Sequence, residues 1–259
     1  MRIGTFDPGA LMRLSLTPQT RGQARALPGQ DELPERYSQV WDAPFRTAIE
    51  AELRPDTTVL DLGSGRNPTI LPDERPPGTT YIGLDLSAAE LAAAPPGSYD
   101  ERVVADTVVL QDHLIGRTDL IVSWQVLEHV PDLGAAVICI RSYLSPGGAV
   151  VAMFSGSRSA FAVINRIVPF HVGAPIVSRV MGRTSSNPVF PAYYDRCHAS
   201  ALRSLFAGWS DVSLTPFFAG AGYFGFSRLL SRAYLAYEDQ AAARGWEDLA
   251  THYLLVAHR

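Results

Sequence analysis

Val59-Leu60-Asp61-Leu62-Gly63-Ser64-Gly65-Arg66-Asn67-Pro68 is the stretch on which the reading of the chain turns. An apolar run with one acidic residue enters a Gly-x-Gly turn, which is how a buried strand delivers a ligand-binding loop. Glycine permits positive φ there and lets a ligand approach the backbone closely. A dinucleotide-binding loop needs a third small residue where the following helix packs on the strand, and this chain has Pro68 at that point. A pyrophosphate cradle is therefore disfavoured. The next apolar run, Tyr81-Ile82-Gly83-Leu84-Asp85-Leu86-Ser87, carries its carboxylate 20 positions beyond Gly65, where Asp85 can accept both hydroxyls of a ribose. The pair of motifs fits an adenosine without a diphosphate.

Outward from this segment, apolar and β-branched runs recur at Thr58–Leu62, Thr80–Leu86, Arg102–Ala105, Asp119–Trp124 and Ala149–Phe154. Their near-continuous apolarity suits strands covered on both faces. Between them fall helical segments: Ser87–Ala94 with Ser87 as N-cap, and Asp132–Leu144 closed by Ser145-Pro146-Gly147-Gly148. Upstream, Val40, Trp41, Phe45, Ile49 and Leu53 lie on one helical face that Pro55 ends. Further strands are expected at Val212–Thr215 and His252–Ala257, after a helix at Ser200–Phe206. This alternation predicts an α/β, doubly wound sheet. Residues 1–36 read as an irregular N-terminal arm or lid, and 37–259 as one domain with helical cap insertions at about 155–198 and 218–248. Helical patterns at Arg158–Ile167 and Pro175–Met181, then a loop at Asn187–Tyr194, make up the first insertion.

Composition narrows the function. The 22 Lys+Arg against 26 Asp+Glu leave a net charge of −4, unlike a binder of phosphate backbones. Nucleic acid is not expected as a partner. The run after Asp119 ends Ser-Trp-Gln-Val, without the Asn/Asp-Pro-Pro-aromatic element that holds a flipped base. No stretch of about 18 apolar residues is present to span a bilayer. Asp7, Pro8 and Gly9 interrupt any secretory core, so a cytoplasmic location is expected. The two cysteines, Cys139 and Cys197, give neither a disulfide framework nor a metal-ligand pair, and no metal is expected.

Asp61-Leu62-Gly63-Ser64-Gly65, Gly83-Leu84-Asp85, Ala105-Asp106, Asp119–His129 and Leu144–Gly148 follow one another in an order that resembles class I S-adenosylmethionine-dependent methyltransferases. The similarity covers roughly residues 57–154 and implies a seven-stranded Rossmann-like sheet, mostly parallel with an antiparallel C-terminal strand. It implies a methyl transfer from S-adenosylmethionine, yielding S-adenosylhomocysteine, to a small-molecule acceptor through an O, N or C nucleophile. By the same resemblance Gly63, Ser64 and Gly65 pass beneath the methionine part of the cofactor and Asp61 helps to hold its ammonium. Asp85, with Leu86 beside it, grips the ribose; Asp106 meets the adenine amino group and the backbone at Thr107 faces the ring. Ser123 and Gln125 lie near the sulfonium. The chain departs from the family at Asn67, where many relatives carry a third glycine. Pro68, Pro72, Pro76 and Pro77 then predict a short or distorted helix after the first strand.

Candidate catalytic bases are His129, just past the fourth strand, and His171 and His198 in or beside the first insertion. His129 also reads as a hydrogen-bonded structural histidine. Tyr193, Tyr194 and Asp195 form a segment too polar for core and too aromatic for ordinary loop, and with Tyr223 they are candidate acceptor contacts. Tyr37 reads either as packing or as an aromatic face toward the sulfonium. The apolar content of 155–237 points to a hydrophobic or aromatic acceptor. Two other readings stand beside the enzyme: a nucleoside-binding regulatory or interaction protein without transfer activity, and an NAD-dependent oxidoreductase, which Pro68 disfavours. Oligomeric state is not readable.

Overall fold

The computed structural model describes residues 42–160, 162–163, 192–224 and 227–259. Its strands are β1 (Thr58–Leu62), β2 (Thr80–Asp85), β3 (Glu101–Val104), β4 (Thr118–Trp124), β5 (Leu144–Ser155), β6 (Asp211–Phe217) and β7 (His252–His258). They form one sheet in the order β3-β2-β1-β4-β5-β7-β6. The first five strands pair in parallel. β7 runs antiparallel to both β5 and β6. The order reverses between β1 and β4, so the crevice at the carboxyl ends of these two strands is the natural ligand position of such a sheet.

Alternate residues of each strand serve opposite faces. Leu60, Leu62, Ile82, Leu84, Ile121 and Val150 pack with Leu133, Ile140 and Leu202 of helices α3 (Leu133–Tyr143) and α4 (Ala199–Leu205). Val59, Tyr81, Leu120, Val122 and Val151 pack with Phe45 and Ile49 of α1 (Asp42–Glu52) and Leu91 of α2 (Ala88–Ala92). Burial on both sides explains the unbroken apolar runs, each buried large side chain contributing about 1.5–3 kcal/mol. Ser87 caps α2 by accepting the Glu90 N–H at 3.2 Å, and Asp132 caps α3 by accepting from Ala135 at 3.1 Å. Helix α5 (Arg228–Ala243) lies between β6 and β7 in sequence.

Between β1 and β2 there is no α-helix, only a single 3-10 turn at Pro72–Glu74, as the four prolines dictate. Most strand boundaries differ from the sequence reading by one or two residues, and that of β5 by more. β5 begins at Leu144, not Ala149, with Leu144 opposite Thr118 and a register shift before Leu120. The Ser145–Gly148 turn is absorbed as an irregular strand entry, with Gly147 at φ 82°. The helix proposed from Tyr37 to Leu53 is seen over Asp42–Glu52, its first residues lying outside the described ones. Half of the segment from Arg158 to Ile167 and all of Pro175–Met181 also lie outside them.

Candidate functional site

The glycine turn leaves β1 and closes back on β2 through the Gly63 N–H, which donates to Leu84 C=O at 2.7 Å. Gly63 holds φ 75°, and a Cβ on it would sit 2.4 Å from Val126 Cγ2, so the loop after β4 is pressed onto this turn. Gly65 also has positive φ, 51°, but a Cβ there would meet only Asp85 Oδ2 at 3.5 Å and Glu90 Cβ at 3.6 Å. Tyr99 braces the turn from below: its ring lies over Gly83, and its hydroxyl donates to Gly65 C=O at 3.0 Å. Ser64 is buried beside it. Asp61 is only 1% exposed. Its Oδ2 accepts from Thr69 N–H and the Tyr81 hydroxyl, both at 2.6 Å, and its Oδ1 accepts from Thr69 Oγ1 at 2.8 Å. Burial pushes this carboxyl up to about 6, against the pull of the Thr69 and Tyr81 donors. Asp61 thus ties the loop after the turn to β2.

Asp85 ends β2, half-buried, with Oδ1 accepting the Ser87 N–H at 2.8 Å. Burial raises its carboxyl above the usual range, opposed by the backbone N–H groups of Ser87 and Gly65. Leu86 next to it is 71% exposed, an apolar surface at the sheet edge large enough to face a base. Asp106, at the end of β3, forms a turn in which Oδ1 accepts the Val108 N–H at 3.2 Å, and Thr107 follows half-buried. Arg66 reaches from the glycine turn to Glu90 of α2 in a bidentate pair, both contacts 2.6 Å. These residues follow the carboxyl ends of β1, β2 and β3.

The end of β4 makes the other wall. Ser123 is fully buried and donates to Leu62 C=O at 3.3 Å, holding β4 to the end of β1. Gln125 takes φ 56°, a strained position for a residue with a side chain. Its N–H donates to Met153 C=O at 2.7 Å, and its Oε1 accepts from Ser155 Oγ at 3.0 Å. Three residues on, Glu128 is 2% exposed and accepts the Ser155 N–H at 3.2 Å. Burial raises the Glu128 carboxyl, with the neighbouring His129 opposing. His129 closes this turn through its N–H to Val126 C=O at 2.8 Å.

Residues 192–198, returning from the insertion, dock on the same loop. The Tyr194 N–H donates to Glu128 C=O at 2.9 Å, and Asp195 Oδ2 accepts the Leu133 N–H at the start of α3 at 2.9 Å. Arg196 bridges Asp195 and Asp132, and the Cys197 thiol points to Leu127 C=O at 3.8 Å. Tyr194 and Arg196 both hold positive φ, 54° and 52°. Tyr194 is buried and Tyr193 is 58% exposed. His198 Nδ1 lies 3.3 Å from Ser157 Oγ, just beyond β5.

Of the expected site residues, Asp61, Gly63, Ser64, Gly65, Asp85 and Leu86 therefore line the β1–β2 end. Asp106 and Thr107 lie at the β3 end, and Ser123, Gln125 and His129 at the β4 end. Tyr194 and Asp195 stand against that last loop. Tyr37 and His171 lie outside the described residues, and nothing is described of the Tyr223 side chain. Sequence reasoning missed Tyr99, Val126 and Ser155. A tyrosine after a turn, a valine in a motif and a serine at a strand end carry no local signal of their role. Among the described residues no cluster of three or more His, Cys, Asp or Glu is placed to hold a metal ion, and no helix is long and apolar enough to cross a membrane. A groove of about 470 Å³ lined by Phe206, Trp209 and Leu214 lies at the β6 edge, away from the glycine turn.

The profile of the family described as "Methyltransferase domain" matches residues 33–184. With the seven-stranded sheet and its ordered motifs, this places the chain in the class I methyltransferase family. The chain is 32% identical over 129 residues to a ubiquinone biosynthesis O-methyltransferase of Rhodopseudomonas palustris, a match covering 48% of each chain. It is 27% identical over 169 residues to a protein of the same name from Bradyrhizobium sp., covering 61% of this chain and 66% of that one. The matches thus span between about half and two thirds of these relatives. Among solved structures, a SAM-dependent methyltransferase from Archaeoglobus fulgidus aligns at TM-score 0.50 and 17% identity, over 87% of this chain and 97% of the other, a likeness of fold.

Proposed function

We propose that the chain transfers a methyl group from S-adenosylmethionine to a hydroxyl of a small-molecule acceptor. The observation that supports this most is the edge formed by the Gly63–Gly65 turn and Asp85. The turn is backed by Tyr99 and Val126 on its inner side, and at Gly65 only ordinary contacts surround an added Cβ. The residues fit the cofactor. Asp85 would take the ribose hydroxyls, Leu86 would face the adenine and Asp106 its amino group, and Gly63–Gly65 would admit the methionine chain. S-adenosylmethionine supplies a methyl on sulfur already activated for displacement. Asp61, bonded to Thr69 and Tyr81, holds the turn in shape, and the remaining acceptor site on its Oδ1 would serve the ammonium.

The protein's work is then alignment. The β4 loop would hold the acceptor in line with methyl and sulfur at about 3 Å, and such positioning supplies roughly 7–11 kcal/mol of the barrier. The choice of oxygen as nucleophile follows the printed names of the two bacterial relatives. Thermal-shift assays with S-adenosylhomocysteine and NAD+ side by side test the cofactor reading. A ligand that binds only the folded state raises its melting temperature in proportion to ligand excess. S-adenosylhomocysteine should raise it at sub-millimolar concentration and NAD+ should not; the reverse pattern overturns the proposal.

A further inference from the structure

The loop after β4 carries two buried polar atoms that no neighbour satisfies. Among the described residues, Gln125 Nε2 and Glu128 Oε2 are each shielded from solvent without a hydrogen-bond partner. They are complementary, one donor and one acceptor, and they share a hub. Ser155 donates its hydroxyl to Gln125 Oε1 and its N–H to Glu128 Oε1, which fixes both side chains and leaves the opposite atom of each over. An unsatisfied buried polar atom costs about 1–3 kcal/mol, more when charged. Two on side chains bonded to the same Ser155 just past β4, one of them on a residue held at φ 56°, are the kind of local cost that persists where a ligand repays it.

We propose that Gln125 and Glu128 together receive the acceptor's reacting hydroxyl: Gln125 Nε2 donates to its oxygen, and Glu128 Oε2 accepts its proton. This deepens the proposed methyl transfer and rests on it. In the step, the acceptor oxygen forms a bond to the methyl carbon while the carbon–sulfur bond breaks, its electron pair staying on sulfur. The hydroxyl proton passes to the Glu128 carboxylate. A hydroxyl satisfies both atoms at once because it donates and accepts. A protonated amine only donates, so the pair selects oxygen nucleophiles. Glu128 is a catalytic residue in this account, and His129 beside it on the same turn is its charged neighbour. The groups that face Glu128 from other elements are Ser155 of β5 and the Cys197 thiol of the returning segment, with Asp195 beyond it.

The test uses the full-length chain, S-adenosylmethionine and three probes at pH 8: phenol, benzylamine, which is mostly protonated there, and 4-nitrophenol, which is largely ionised. Wild type should methylate the two hydroxyl probes and not benzylamine. Glu128→Gln keeps an acceptor for the Ser155 N–H and should bind S-adenosylhomocysteine as wild type does. It should lose about 100-fold or more in kcat/KM with phenol, lose the acid limb of the pH profile, and retain activity with 4-nitrophenol, which has no proton to give up. Gln125→Leu should raise KM for both hydroxyl probes about tenfold. Equal losses with phenol and 4-nitrophenol, transfer to benzylamine in preference to phenol, or no transfer to either hydroxyl probe by a wild type that binds S-adenosylhomocysteine would each overturn the proposal. A wild type that fails to bind S-adenosylhomocysteine overturns the parent reading instead, a separate failure.

Discussion

The two halves of the sheet's carboxyl edge treat their buried carboxylates in opposite ways. At the β1 end, both oxygens of Asp61 accept from protein donors, three in all, while the neighbouring Asp85 is half-buried. At the β4 end, Glu128 is as deeply buried as Asp61 but has one oxygen without a partner. A carboxylate bonded through both oxygens builds a loop, and one with an oxygen left over is held in reserve for something that binds. The two halves meet where Val126 presses on Gly63 and where Ser123 holds the end of β1.

Four changes break or sharpen this contrast. The largest effect is expected at Gly63→Ala, where a Cβ would overlap Val126 at positive φ. Strain and overlap together should cost about 2–4 kcal/mol, read as a lower urea midpoint; an unmoved midpoint breaks the claim that the halves are locked there. Next, Asp85→Ala should weaken S-adenosylhomocysteine at least about tenfold by calorimetry, since hydrogen bonds to a charged group contribute about 1.5–3 kcal/mol each. Its urea midpoint should stay near that of wild type, whereas Asp61→Ala should lower the midpoint because its three donors lose their acceptor.

Third, His252 at the start of β7 is fully buried, and burial lowers it to about 3. A depressed histidine contributes stability that is present above the unfolded value of about 6.5 and is lost as pH falls below it, by up to about 1.4 kcal/mol per pH unit. Denaturation midpoints measured from pH 7 to 4 should fall more shallowly in His252→Phe than in wild type; parallel curves would show that this half admits the proton. The smallest effect belongs to Arg66→Ala. Its pair with Glu90 is solvent-exposed, so melting temperature should not change and only the salt dependence of cofactor binding should flatten.

What the sequence discloses follows from how local the physics is. The strands are legible because burial on both faces demands continuous apolar runs, and the β1–β2 half because a Gly-x-Gly turn and a carboxylate 20 residues later are short-range constraints. The proline-rich stretch after Gly65 predicts a short or distorted helix, and a single 3-10 turn stands there. The β4–β5 half depends on contacts far apart in the chain: Ser155 reaching Gln125 and Glu128, and Tyr194 reaching back to Glu128. No window of sequence contains them. Asp61 shows the same limit, since its motif position carries no sign of the bonds it accepts from Thr69 and Tyr81.

The most direct measurement is a crystal structure of the chain with S-adenosylhomocysteine. The account predicts the ribose hydroxyls on Asp85, the adenine over Leu86, and the sulfur turned toward Gln125 and Glu128. A ligand lodged instead in the groove between α4 and β6, or one whose ribose leaves Asp85 untouched, would contradict it.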